Sequence, residues 1–154
     1  MGRGVGVLAG RVSAALRRRR RRTARVEVRY QPDDDGSPDP GEVVWAWIPY
    51  EEDPRQGKDR PVVVIGTAGR LLAAVTLTSK LHPERRDQVS VGSGSWDQGR
   101  RVSYARLDRI LGLRPDQVRR EGATLDRRRF DALVYHLRRQ PDWPDVSLEV
   151  VSHT

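Results

Sequence analysis

Few side chains in this sequence could carry covalent or metal chemistry. Cysteine is absent, which removes thiolate nucleophiles, disulfides and sulfur-ligated zinc or iron–sulfur sites. The three histidines, His82, His136 and His153, are scattered, and His136 has no ligand partner one helical turn on. No metal and no cofactor is therefore expected. Glu51-Glu52-Asp53 offers neighbouring carboxylates for general acid–base work, although a run of loop acids is ordinarily just solvated. Gly92-Ser93-Gly94-Ser95 could cradle a phosphate, but no helix follows to present its amides, so a plain turn reads better. No Walker A loop, nucleophile elbow or Ser/His/Asp spacing occurs.

Electrostatics is the louder signal. The net charge of +8 is not spread along the 154 residues. Residues 1–30 hold ten arginines and one acid, Glu27, so the remaining chain is close to neutral. Arg17 to Arg22 is an unbroken arginine run; self-repulsion disfavours packing of such a block, while polyanions attract it. An RNA- or phosphate-binding arm, a solvated tail, and a start codon assigned too far upstream all remain open. A secretory signal fits badly, because the apolar stretch Val5–Ala9 is short and precedes the arginines. No apolar run approaches the roughly 18 residues of a membrane span, and the lack of cysteine fits a reducing, cytoplasmic address.

The elements that must position any site follow from pattern. Residues 31–41, rich in Pro, Asp and Gly, read as a linker, so residues 1–40 are expected to be a disordered basic arm and linker. Glu42 to Ile48 is β-branched and aromatic on both alternating faces, which predicts a strand covered on both sides. Residues 50–59 read as a charged loop. Pro61 opens the run Val62–Ile65, Gly66–Gly69 reads as a turn, and Leu71–Thr78 as its hairpin partner. Leu71, Ala73, Val75 and Leu77 share one face of that strand, leaving Thr76 and Thr78 on the other. Val89 and Val91 mark a short strand, and residues 102–113 suit either a helix or two short strands. Pro115 and Gly122 bracket a predicted short helix, and Thr124 is placed to cap a second helix whose stripe is Phe130, Leu133, Val134 and Leu137. Residues 141–154 read as a C-terminal extension. Short strands followed by helices predict a mainly β, α+β domain, a small barrel or sandwich with a helical tail.

Several segments, taken in order, resemble the MazF/PemK toxin family. Gly41-Glu42-Val43-Val44-Trp45 is similar to its G-[DE]-V-V strand, Gln56-Gly57-Lys58-Asp59-Arg60-Pro61 to its Q-G-x-x-R-P strand start, and Leu77-Thr78-Ser79-Lys80 to its T-[SA]-K strand end. Val102 to Ile110 resembles its later S-x-V-R-x-D-x-[IV] segment, which favours two strands there. The likeness implies an SH3-like barrel over residues 41–140, a homodimer, and a metal-independent endoribonuclease acting on single-stranded RNA. It also implies a cognate antitoxin whose acidic tail covers the RNA groove; no membrane partner is expected, given the absence of a long apolar run.

By this resemblance Arg60 and Thr78 are the catalytic positions, and Gln56, Gly57, Ser79, Lys80 and Ser103 contact RNA; Trp96, in a glycine-rich loop, could add a stacking contact to a base. A physical rationale can be given independently. Attack by the neighbouring 2′-hydroxyl builds negative charge on phosphate oxygens; a guanidinium offers a planar fork matched to them, and a threonine hydroxyl a second donor. Trp45 and Trp47 suit core or dimer packing better than base stacking. One departure stands out. Arg55 occupies the position where many family members carry glutamate, and Glu51, Glu52 or Asp53 is the substitute within reach of the same loop. Two other classes compete with the nuclease: a non-catalytic nucleic-acid-binding module and an inhibitor of a protein target.

Overall fold

The computed structural model describes residues 21–33, 37–119 and 123–152. Among them the strands are β1 (Arg21–Arg25), β2 (Glu27–Val28), β3 (Val43–Pro49), β4 (Gly57–Ala68), β5 (Leu71–Thr78), β6 (Gln88–Gly92), β7 (Ser103–Leu113), β8 (Val118–Arg119) and β9 (Asp145–Val150). One helix, α1 (Arg127–Arg138), lies between β8 and β9. The sheet runs β1-β9-β7-β5-β4-β3-β8, with β2 joined to β4 and β6 to β7. β7 and β9 pair in parallel, and every other strand pair is antiparallel.

Two apolar clusters explain why this sheet curls. Val44, Ala46 and Ile48 of β3, Val62 and Val64 of β4 and Ala74 of β5 are essentially inaccessible, yet their cluster contains no helical residue. The sheet itself must therefore wrap around them, which makes a small β-barrel-like interior. The opposite parity, Val43, Val63, Ile65, Ala73, Val75 and Leu77, carries the α1 stripe of Phe130, Leu133, Val134 and Leu137. Each such buried side chain contributes about 1.5–3 kcal/mol, so α1 is held by its apolar face. The fold is mainly β; the Val44, Ala46 and Ile48 face of β3 is fully covered, whereas on the other face, expected to be covered too, Trp45 and Trp47 are only half-buried.

Several sequence expectations are corrected. Residues 21–28, expected in the disordered arm, are paired: Arg21–Arg25 lies against Glu149–Asp145, and Glu27–Val28 against Thr67–Gly66. Ala24, Val26, Val28 and Tyr30 alternate with charged residues and pack on the core, a period-two signal hidden beneath the arginine count. Residues 1–20, with most of the arginine run, and 34–36 of the linker lie outside the described residues. The expected C-terminal extension supplies β9, inserted between β1 and β7; His153 lies outside the described residues.

β7 is one continuous strand of 11 residues and not two; β5 pairs with both its halves, whereas β6 pairs with Ser103–Arg106 and β9 with Ile110–Gly112. Pro115 opens a 3-10 turn, Pro115–Gln117, whose chain then enters β8 and not a helix. The expected cap at Gly122 lies outside the described residues. The N-cap of α1 is Asp126, which accepts from the Arg129 N–H at 2.9 Å, because Thr124 is drawn into a bridge with Glu42. β4 begins at Gly57 and runs through Gly66–Ala68, so the hairpin turn is only Gly69-Arg70.

Candidate active site

β4 and β5 set the site through their register. Val62 stands opposite Thr76; continued to the strand ends, the same antiparallel register sets Arg60 opposite Thr78 on the same face. Arg60 is anchored from the other side by its pairing with Ala46 of β3. Pro61 fits between them. Val64 donates its N–H to the Glu42 carbonyl at 3.0 Å, so alternation turns the position of Pro61's missing N–H toward β5, beyond the last paired residue Val62. The strand pair parts here, leaving an open mouth.

Two adjoining cavities of about 340 and 170 Å³ meet at this mouth, and Arg60, Thr78 and His82 line both. The larger also receives Trp45, Lys58, Ser79, Lys80 and Ser103; the smaller receives Glu51, Glu52, Arg106 and Arg109. Thr78 Oγ1 accepts the Lys80 N–H at 3.1 Å, so its lone pair orients the turn while its proton remains available. Gln88 of β6 braces the same turn, accepting the His82 N–H at 2.8 Å and donating to the Lys80 carbonyl at 3.2 Å.

The charges around the mouth are unevenly cancelled. Arg119 forks onto Asp59 at 2.9 and 3.2 Å. Arg101 binds Asp97 at 2.8 Å, and that hydrogen bond, with the Arg101 N–H, pulls the Asp97 carboxyl down to about 2. Arg106 holds Glu51 at 2.7 Å and Asp108 at 2.6 Å. Burial opposes the Arg106 charge, but these carboxylates outweigh it and raise its pKa. Burial likewise works against the Asp108 charge, and the Arg106 hydrogen bond turns its pKa downward. Arg109, only 7% exposed, forks onto Glu149 at 2.7 and 2.9 Å and donates to the Pro49 carbonyl, tying β7 to β9 and to the end of β3. Among the described residues Arg60, Lys58 and Lys80 have no ion pair. The mouth is thus left positive.

The predicted site residues separate into two groups. Arg60, Thr78, Ser79, Lys80 and Ser103 come together at the larger cavity; Gln56, Gly57 and Trp96 line neither cavity. Gln56 closes its loop by accepting the Tyr50 N–H at 2.8 Å and donating to the Asp53 carbonyl. Gly57 is required by packing, since a Cβ there would collide with the Ile48 carbonyl and the Trp47 ring. Trp96 is 4% exposed, its ring lying over Gly94 and its indole N–H donating to Ser103 Oγ at 2.9 Å. That pair satisfies itself inside the fold, so Trp96 is not a surface platform for bases. Trp45 and Trp47 are half-buried.

Arg55, at the position of the family's glutamate, is tied to Asp53 at 3.2 Å, and that hydrogen bond lowers the Asp53 pKa. Of the acids weighed as substitutes, Glu51 and Glu52 reach the cavity and Asp53 does not. Sequence reasoning passed over His82, whose signal was its place just beyond the tip of β5. Among the described residues no three His, Asp or Glu side chains cluster as a metal site requires, and no helix is long and apolar enough to cross a membrane.

No curated protein sequence matches the chain. The sequence profile described as "PemK-like, MazF-like toxin of type II toxin-antitoxin system" matches residues 39–140. That span covers β3 to α1 and includes every residue of the β4–β5 mouth, and the chain belongs to this family of PemK-like, MazF-like toxins.

Proposed function

We propose that the protein is the toxin of a type II pair and an endoribonuclease that cuts single-stranded RNA without a metal ion, leaving 2′,3′-cyclic phosphate and 5′-hydroxyl ends. The observation that carries this reading is Arg60: a guanidinium with no ion pair among the described residues, lining the same two cavities as Thr78. When the 2′-oxygen attacks, the phosphorane gains negative charge on its non-bridging oxygens. The Arg60 fork and the Thr78 hydroxyl form a preorganised cradle for that charge. Ser79 and Lys80 hold the flanking backbone, and Lys58 adds to the attraction for phosphates. A guanidinium with a pKa above about 12 is a poor base, so Arg60 acts electrostatically. The base is Glu52, which lines the smaller cavity and has no ion pair among the described residues.

On this reading the protein works in the cytoplasm as a homodimer. Its antitoxin neutralises it with an acidic tail that competes for the positive mouth. The test is incubation of the full chain with single-stranded RNA in excess chelator. Discrete cuts bearing cyclic phosphate, abolished by Arg60→Ala, are the expected result; intact RNA across varied sequences refutes it. A second reading, a non-catalytic binding module, is favoured by Arg55 standing where the family has glutamate. It requires RNA affinity that falls steeply with salt and does not respond to Arg60→Ala.

A further inference from the structure

Transesterification moves two protons. The 2′-hydroxyl loses one as the 2′-O–P bond forms, and the 5′-oxygen gains one as the P–O5′ bond breaks. In-line displacement sets those oxygens on opposite sides of phosphorus, so two separate groups serve them best. The side chains facing the two cavities can be sorted by their capacity for this work. Asp59, Asp97 and Glu51 are each engaged by an arginine. Lysine and arginine side chains are cations at neutral pH that accept no proton, and their ordinary pKa values, far above neutrality, make them poor proton donors as well. Two groups then remain, Glu52 and His82.

Resting on the nuclease reading, we propose that His82 is the general acid of the site, its imidazolium giving a proton to the departing 5′-oxygen while Glu52 takes the proton of the 2′-hydroxyl. His82 borders both cavities together with Arg60 and Thr78. Its backbone is fixed, because the single Gln88 amide grips Lys80 and His82 at once. Its Nδ1 lies 3.5 Å from Glu84 Oε1, an arrangement that leaves Nε2 for the leaving oxygen. Arg60 of β4, Arg106 of β7, Arg85, and Glu51 and Glu52 after β3 border the same smaller cavity. The Asp97–Arg101 pair bordering the larger cavity cancels itself. Glu84 and Gln88 are positioning residues.

The test compares RNA with an otherwise identical strand whose scissile 5′-bridging oxygen is replaced by sulfur, a leaving group that needs no proton. On the oxygen strand His82→Ala and His82→Gln should lower the single-turnover rate by about 10²-fold or more. On the sulfur strand both variants should recover to within about tenfold of the wild type, while Arg60→Ala should not recover. The basic limb of the pH–rate profile should vanish in His82→Ala. A His82→Ala rate within about threefold of the wild type on oxygen RNA, or an equal loss on both strands, overturns the assignment. If the wild-type chain cuts neither strand, the nuclease reading itself falls, and this assignment with it.

Discussion

Arg60→Lys separates what charge supplies from what geometry supplies. The substitution keeps one positive charge at the end of β4 and removes the planar fork. Lys58 and Lys80 stay in place, so the field drawing RNA to the mouth is nearly unchanged. On the nuclease reading, what is lost is one of two charge-assisted hydrogen bonds to the phosphorane, worth about 1.5–3 kcal/mol, or about 10- to 150-fold in rate. The loss should fall on the single-turnover rate with little change in the half-saturating enzyme concentration, because the second bond matters most when charge has developed. Stability should not follow. Arg60 has no ion-pair partner among the described residues to be orphaned, so the free energy of unfolding in urea should stay within about 0.5 kcal/mol of the wild type. A rate within about threefold of the wild type would show that a point charge suffices and would refute the fork argument. A stability loss above about 1.5 kcal/mol would instead make Arg60 a structural residue.

Thr78→Val keeps the β-branched shape and deletes the hydroxyl; the cleavage rate should drop by about 10²-fold, while urea unfolding should show only the loss of the Lys80 N–H bond, about 0.5–1.5 kcal/mol. Trp96→Phe leaves the buried Ser103 hydroxyl without its donor, so urea unfolding should show a loss of about 1–3 kcal/mol. Glu149→Ala strands the Arg109 guanidinium with only the Pro49 carbonyl, and should cost about 3 kcal/mol, against near-neutrality for changes at exposed pairs such as Arg29–Glu27. The Asp97 carboxyl is held below its ordinary range, so its contribution to stability is complete above pH ~4 and is lost as pH falls toward about 2. A carbon-detected titration should place its midpoint near that value, and Arg101→Gln should move it upward; an unchanged midpoint would refute the pairing.

The sequence was most legible where one strand's own alternation decides the outcome. Leu71–Thr78 sorts into two faces without help from any partner, and those faces put Thr78 beside Arg60 once the hairpin closes. It was least legible where the deciding partner is remote. Arg21–Arg25 reads as a repelling block until β9, more than a hundred residues on, supplies a strand edge. Trp96 sits in a glycine-rich loop that looks exposed, and only Gly94 beneath its ring and Ser103 at the start of β7 make it a core residue. Ion pairing is the extreme case. With 27 arginines and 21 acids in the chain, nearly every charge has several plausible partners, and no local pattern says which are used. On the proposed reading, function at the β4–β5 mouth depends on the remainder of that pairing. Arg119, Arg101 and Arg106 take Asp59, Asp97 and Glu51 out of play, so the mouth keeps the Arg60 charge uncancelled and Glu52 free to accept a proton. Returning one of those acids to solvent should therefore matter: Arg119→Gln frees Asp59 beside Arg60 and should weaken RNA cleavage although Arg119 lines neither cavity. An unchanged cleavage rate and salt dependence in that variant would show that the pairing network does not set the charge of the mouth.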